Sequence, residues 1–292
     1  MFKPYFLIPE IFSPITVTGQ RDATHPFNAV PAESGNPPEY LTATIDLSIE
    51  GRHVRLEAPA PTAPVRPIEL LPLFQSLSDA FVGLAVKSAE EEGSKISCKK
   101  GCGACCRQLV PISATEARRI RDLVNDLPEP RRFQILARFE AARKLLDEAG
   151  LLGRLMEPDK IAQDESGKLG HQYFSMGIPC PFLEDESCSI HADRPIACRE
   201  YLVTNPAENC ARPTAETVQC IKMTVKASTA LRLLTLRSPR DDTWVPLILA
   251  PSWAEAHPDE SPPLPGTELV RQFFSHLTSK DLPAADQSAL MR

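Results

Sequence analysis

Nine cysteines, all between Cys98 and Cys220, are the residues whose type and spacing carry chemistry; residues 1–97 and 221–292 contain none. An odd count in a chain of 292 residues does not fit the short, secreted disulfide framework, which pairs its cysteines. Clustered thiols of this kind point instead to metal or redox chemistry.

The first block reads Cys98-Lys-Lys-Gly-Cys102-Gly-Ala-Cys105-Cys106. Gly101 and Gly103 flank Cys102, and a loop aiming several sulfurs at one point needs such bends without Cβ clashes. Lys99, Lys100 and Arg107 surround the thiols, and cations favour the thiolate that binds metal. Four cysteines could also serve as small buried hydrophobes, but a core would need neither the glycines nor four packed thiols. The second block reads Cys180-Pro-Phe-Leu-Glu-Asp-Glu-Ser-Cys188-Ser-Ile-His191-Ala-Asp-Arg194-Pro195-Ile-Ala-Cys198-Arg199. It has little regular pattern and few apolar residues, so a metal would supply the missing folding energy. Cys210 extends the set. Cys220, beside Ile221, reads equally as a core cysteine on an apolar helix face, and His191 as a polar neighbour of the thiols rather than a ligand.

Each block alone is imperfect. The second has three cysteines before Cys210, and the first ends in the adjacent pair Cys105 and Cys106, which cannot easily both face one small ion. Pooling the blocks removes both defects, so Cys102 and Cys105 are expected near Cys188 and Cys198 in one pocket. The charged helices between the blocks would pair antiparallel and return the chain to its start.

These two blocks, with Arg194-Pro195-x-x-Cys198-Arg199 following Cys180-Pro-Phe-Leu and Cys188-Ser-Ile-His, resemble the YkgJ-type cysteine-cluster proteins, also described as the CxxCxxCC zinc- or iron-chelating domain family. The resemblance covers about residues 95–215. It implies a cysteine-bound metal, with iron–sulfur clusters favoured for some members, flagellin lysine methylases among them. Carried over, the ligand pool is Cys98, Cys102, Cys105, Cys106, Cys180, Cys188 and Cys198, with Cys210 as an eighth. Three residues, not two, separate Cys98 from Cys102 here.

The choice of metal rests on thiol spacing. Structural zinc uses two separated cysteine pairs, and only Cys102-x-x-Cys105 has that form. An iron–sulfur cluster has several iron corners, so crowded thiolates are shared more easily. An iron–sulfur cluster of the 4Fe–4S type is therefore expected, with zinc as the alternative. Cys98-x3-Cys102-x2-Cys105 also has the spacing of radical S-adenosylmethionine enzymes. However, Ala104 stands where those enzymes commonly carry an aromatic, and the strand–helix alternation of a β/α barrel is missing. Cys102-Gly-Ala-Cys105 lacks the βαβ setting of a thioredoxin-like site. No Gly-x-Ser-x-Gly, Walker loop or His-Glu-x-x-His supports hydrolysis.

The elements that must position these residues read as a mainly α (α+β) fold with an irregular cysteine-rich core between helices. Residues 1–66 are Pro-rich, with eleven prolines up to Pro67, and hold a β-hairpin near 41–57 turning at Glu50-Gly51. A helical cysteine-cluster domain is expected over 67–237. Its first helix, from Pro67 to Glu92, has an apolar face of Leu70, Leu71, Phe74, Leu77, Phe81 and Leu84. Ser113-Ala-Thr-Glu116 is a capping box opening a helix to Asn125, and a second helix runs from Arg131 to Ala149 with Leu145, Leu146, Leu151, Leu152 and Leu155 as its apolar edge. Residues 157–179 read as loop, a short helical turn follows Pro195, and Pro213-Thr214 opens a helix to Leu236. Residues 238–292 form a Pro-rich segment ending in a helix near Glu268–Leu277.

Composition sets outer limits. Proline is 29 of 292 residues, well above the typical ~5%. A net charge of -6 gives no basic footprint for nucleic acid. No apolar run reaches the ~18 residues of a membrane span, and the N-terminus lacks a signal pattern, so a cytoplasmic location is expected. The functional expectation is a metal-binding protein that holds an iron–sulfur cluster through both blocks for redox or cluster-dependent chemistry. A zinc-stabilised interaction module and a metal-handling protein are the alternatives. Whether it is an enzyme is left open, and neither substrate nor protein partner is legible.

Overall fold

Apolar residues alternate at Ala43, Ile45 and Leu47, which puts one face of an extended chain into the core. In the computed structural model, which describes residues 16–18, 39–49, 52–214, 216–234 and 244–278, this stretch is strand Tyr40–Ile49 (β2). It lies between Thr16–Thr18 (β1) and Arg52–Pro61 (β3) in a three-stranded antiparallel sheet. The register pairs Ile45 with Leu56 and Leu47 with Val54. The expected Glu50-Gly51 turn lies outside the described residues.

The sheet's inner face needs a cover. Helix Leu71–Glu91 (α1), entered through a 3-10 turn at Pro67–Leu70, supplies it through Leu71, Phe74, Leu77 and Phe81. Helix Ala114–Asn125 (α2) opens on the Ser113–Glu116 capping box, and Arg131–Glu148 (α3) follows the prolines. Leu152–Met156 (α4), Gln163–Ser175 (α5), Ile196–Arg199 (α6), Ala227–Leu234 (α7), Ala250–Ala256 (α8) and Gly266–Thr278 (α9) complete the helices among the described residues. Helices α1, α7 and α9 share the hairpin's core, where Phe74 stacks on Phe273 with ring centroids 4.5 Å apart. A second core joins α2 and α3 around Phe182, and a third joins α3, α4 and α5. The fold is mainly helical with a small antiparallel β-hairpin, and the cysteine-bearing stretch lies between helices.

Several local expectations are corrected. Residues 163–175 are helical, not loop: Leu169 and Tyr173, four apart, share one face and are buried, a period that Gly167 and Gly170 and the surrounding polar residues obscure. Leu145 is 46% exposed, because the buried stripe of α3 runs through Ile135, Phe139, Ala142 and Leu146. The helix expected from Pro213 begins only at Ala227. Around residues 219–221 the chain is instead extended: Ile221 N–H donates to Leu202 C=O at 2.9 Å, and Thr204 N–H to Gln219 C=O at 2.9 Å. The buried Glu200 carboxylate then accepts Ser228 N–H at 3.2 Å and receives the Ser228 hydroxyl, which fixes where α7 starts. Helix α2 packs on α8 more than on α3, so the return of the chain relies on the C-terminal segment as well. Finally, Pro67–Glu91 is long and apolar enough by composition to cross a membrane, with a mean hydropathy of 1.3. Its Leu71, Leu73, Phe74, Leu77 and Phe81 are buried in the main core, which accounts for that apolar character.

Candidate metal centre

The first block lies on an irregular loop closed by a 3-10 turn, Ala104–Arg107. Gly101 has φ +87°, which glycine adopts without strain. Gly103 serves a different purpose. A Cβ there would stand 2.6 Å from Glu186 Oε2, 2.7 Å from Leu183 Cδ1 and 3.1 Å from Glu186 Cα. The glycine lets the first block approach the second to van der Waals contact.

What it approaches is a tight hairpin. Leu183–Glu184 pairs antiparallel with Ser187–Cys188, and the turn residues Asp185 and Glu186 both have positive φ, as a two-residue primed turn requires. Three bonds lock this hairpin region to the first block: Cys180 N–H donates to Cys106 C=O at 2.7 Å, and Arg107 grips the Glu186 carboxylate at 2.7 and 2.9 Å. On the hairpin's other side, Glu184 receives Arg131 and, at 2.8 Å, Arg138, both from α3.

Cys198 arrives on α6, positioned by a buried carboxylate. Glu116 accepts Ser113 N–H at 2.9 Å and the Ser113 hydroxyl at 2.8 Å through one oxygen, and Ile196 N–H at 2.7 Å through the other. The capping box legible in the sequence thus also anchors the turn that carries Cys198. Arg199, 7% exposed, bonds the Arg194 carbonyl at 3.0 Å, the Ala192 carbonyl and Asp79 at 2.7 Å.

Cys98 is placed by strand-like pairing. Ser97 N–H donates to Val203 C=O at 3.0 Å, and Val203 N–H donates to Cys98 Sγ at 3.4 Å. Val203 also pairs with Cys220 in an antiparallel bridge. Cys220 is therefore an exposed residue on an extended segment, which overturns its reading as a core cysteine on a helix face. Cys210 is buried on the 3-10 turn Ala207–Ala211, which packs against the turn bearing Cys105 and Cys106.

Electrostatics show what gathers where. Cys98, Cys180, Cys188, Cys198 and Cys210 all interact with Cys105, on which Cys106 acts most strongly. Cys102 acts on Cys98 and Cys210. Cysteines of both blocks are thus within electrostatic reach of Cys105. Nine free cysteines are described, and among the described residues no three His, Cys, Asp or Glu side chains are gathered as a single-ion site.

Burial outweighs the thiolate-favouring cations at most of these cysteines. Donation of the Cys105 S–H to Cys106, followed by burial, pushes the Cys105 thiol far up, and burial raises Cys180 to about 12. Burial also raises Cys98, Cys188, Cys198 and Cys210, and neighbouring thiols add to it. Arg107 is engaged by Glu186. Arg107 still interacts with Cys106, as expected from the sequence, and Arg194 lowers Cys98, Cys105 and Cys188 against these larger effects. A metal bound by these thiols would have to displace their protons. Arg194 sits in the quoted Arg-Pro-x-x-Cys-Arg stretch, but its charge carried no positional signal there. His191 is exposed beside Arg194, whose charge lowers its pKa.

An anionic group fits this donor set. Arg194 Nε is buried and has no hydrogen-bond partner. A buried N–H of a cation without an acceptor is costly, and a metal–thiolate centre, rich in negatively charged sulfur, would supply one.

A scan against protein-family models matches residues 97–221 to the family described as "CxxCxxCC: Putative zinc- or iron-chelating domain". The matched segment closes on itself, since the N–H groups of Ser97 and Ile221, its ends, donate to the adjacent Val203 and Leu202 carbonyls. Searches of the curated proteins and of the solved structures found no match.

Proposed function

We propose that residues 97–221, which match the family model of the CxxCxxCC zinc- or iron-chelating domain, hold an iron–sulfur cluster, of the 4Fe–4S type, for redox or cluster-dependent chemistry. The observation that carries this reading is the crowding at Cys105. Five cysteines from both blocks and beyond interact with it, and its neighbour Cys106 shares its hydrogen bond. One tetrahedral ion uses four ligands, whereas a cluster spreads crowded thiolates over several irons.

The residues that would hold the cluster are drawn from Cys98, Cys102, Cys105, Cys106, Cys180, Cys188, Cys198 and Cys210. When bound, such a cluster supplies one-electron transfer, or a Lewis-acidic iron where a thiolate ligand is missing. The chain's own contribution is positioning. Glu116 fixes α6, Gly103 and Arg107 hold the hairpin against the first block, and Val203 fixes Cys98. Burial excludes water from Cys210 and restricts it at the others. A reducing cytoplasm would keep nine such thiols available.

Zinc is the second reading, favoured by the zinc-type spacing of Cys102-x-x-Cys105, of which Cys105 interacts with Cys188 on its tight hairpin. In that case the segment is a zinc-stabilised interaction module or a metal-handling domain. Visible absorption of protein purified and kept under nitrogen separates the two. The cluster reading expects a brown protein that bleaches in air, and a colourless, air-indifferent protein refutes it.

A further inference from the structure

The Arg194-Pro195-x-x-Cys198-Arg199 stretch carries two arginines whose environments differ. Arg199 is engaged through all three guanidinium nitrogens, with Nε on the Arg194 carbonyl, Nη1 on Asp79 and Nη2 on the Ala192 carbonyl. Its bonds are to α1 and to the 190s backbone, and they hold the loop that leads to Cys198. Arg194 is held only by its backbone in these bonds. Its φ of -58° and ψ of 143° are extended, Pro195 follows, and Arg199 pins its carbonyl. The charge of Arg194 acts on Cys98 and Cys105 of the first block and Cys188 of the second. Its Nε is buried without a partner.

We propose that Arg194 is a positioning residue of the metal centre: its buried Nε–H donates to a sulfur of the bound cluster, and its charge sets the ease of reduction. This inference rests on the iron–sulfur reading above. Reduction adds one electron, and so one negative charge, to a centre whose sulfurs share it. A donor aimed at those sulfurs stabilises the reduced form more than the oxidised form. Removing the donor therefore favours the oxidised form and lowers the midpoint potential.

The test compares wild-type protein with Arg194→Gln and Arg194→Lys, purified anaerobically and reduced stepwise with dithionite while cluster reduction is followed by electron paramagnetic resonance. Iron and acid-labile sulfide are measured on the same samples. Equal iron and sulfide in the three proteins is expected, with the reduction equilibrium of Arg194→Gln shifted about tenfold toward the oxidised form, or about 59 mV for one electron. Arg194→Lys keeps the charge and loses the Nε donor, so its midpoint falls between the other two. If Arg194→Gln does not hold a cluster, Arg194→Lys decides alone: a midpoint equal to wild type overturns the proposal. Equal midpoints in all three proteins, or fewer clusters with an unchanged midpoint in those that remain, also overturn it and leave Arg194 a merely structural residue. Wild-type protein without sulfide would instead overturn the iron–sulfur reading itself, and this inference with it, a result visible before any variant is made. Arg199→Gln serves as the contrast, with loss of soluble folded protein expected because its three bonds are to the scaffold.

Discussion

Cys180 and Cys106, 74 positions apart in the chain, are joined by a main-chain hydrogen bond of 2.7 Å. This bond is the hinge of the whole site. It brings the first cysteine of the second block against the last of the first, and the Arg107–Glu186 ion pair and the Gly103 contact lie beside it.

Gly103→Ala tests that approach directly. Its Cβ would meet the Glu186 and Leu183 side chains below 3.0 Å and the Glu186 backbone at 3.1 Å, so the hairpin has to move. Overpacking of this kind costs about 1–3 kcal/mol, which is expected as a thermal midpoint lower by roughly 2–10 °C, together with reduced metal content. An unchanged midpoint and full metal content would show that the two blocks do not pack as described.

Glu116 joins the start of α2 to the start of α6. Replacing it with alanine leaves the Ser113 and Ile196 N–H groups without their acceptor, at roughly 1–3 kcal/mol each. Glu116→Gln keeps one carbonyl oxygen and is expected to lose less. Urea unfolding of the two variants checks the order, and metal content should follow it because α6 carries Cys198. Equal stabilities would remove Glu116 from the positioning scheme.

The pH dependence has a definite sign at Glu184. Its hydrogen bond from Arg131, and then that from Arg138, hold its carboxyl below the usual carboxylate range. A folded-state value below the unfolded one stabilises the fold above about pH 4.3, and that contribution is lost as pH falls through the folded value. Thermal midpoints measured between about pH 6 and pH 3 should therefore fall more steeply for wild type than for Glu184→Gln. Parallel curves would mean that the Arg131–Glu184–Arg138 link contributes nothing.

Much of this was legible in the residues, for stated reasons. The hairpin showed itself through alternation at Ala43, Ile45 and Leu47, and α2 through its capping box, because both signals are local. Helix α5 was not legible: its buried stripe is only Leu169 and Tyr173, among glycines and charges. The false helix over 213–226 arose because Val218, Ile221 and Val225 match a helical period, while the bridge from Val203 to Cys220 that keeps the chain extended is a long-range contact. At the site, the cysteines and glycines were visible as types. Of the cations, Arg107 beside Cys106 was legible from its place in the sequence, whereas the influence of Arg194 on Cys98, Cys105 and Cys188 arises only in the folded chain.

Single cysteine substitutions should divide by position. Cys→Ser at Cys102, Cys105, Cys188 or Cys198 is expected to lose metal and soluble folded protein together, because metal binding free energy is also folding free energy. Cys220, exposed at the rim, is expected to tolerate serine and to be the first thiol alkylated by iodoacetamide in the metal-loaded protein. Mass spectrometry of the labelled peptides checks the order. Metal loss in Cys220→Ser equal to that in Cys105→Ser would place Cys220 among the ligands.

The central claim, that the thiols gathered round Cys105 hold an iron–sulfur cluster, is tested most directly by elemental analysis of anaerobically purified protein from iron-replete cells. Iron, zinc and acid-labile sulfide are measured on one preparation. Iron and sulfide in matching amounts, with zinc near background, is the predicted result. Stoichiometric zinc with no sulfide would contradict it.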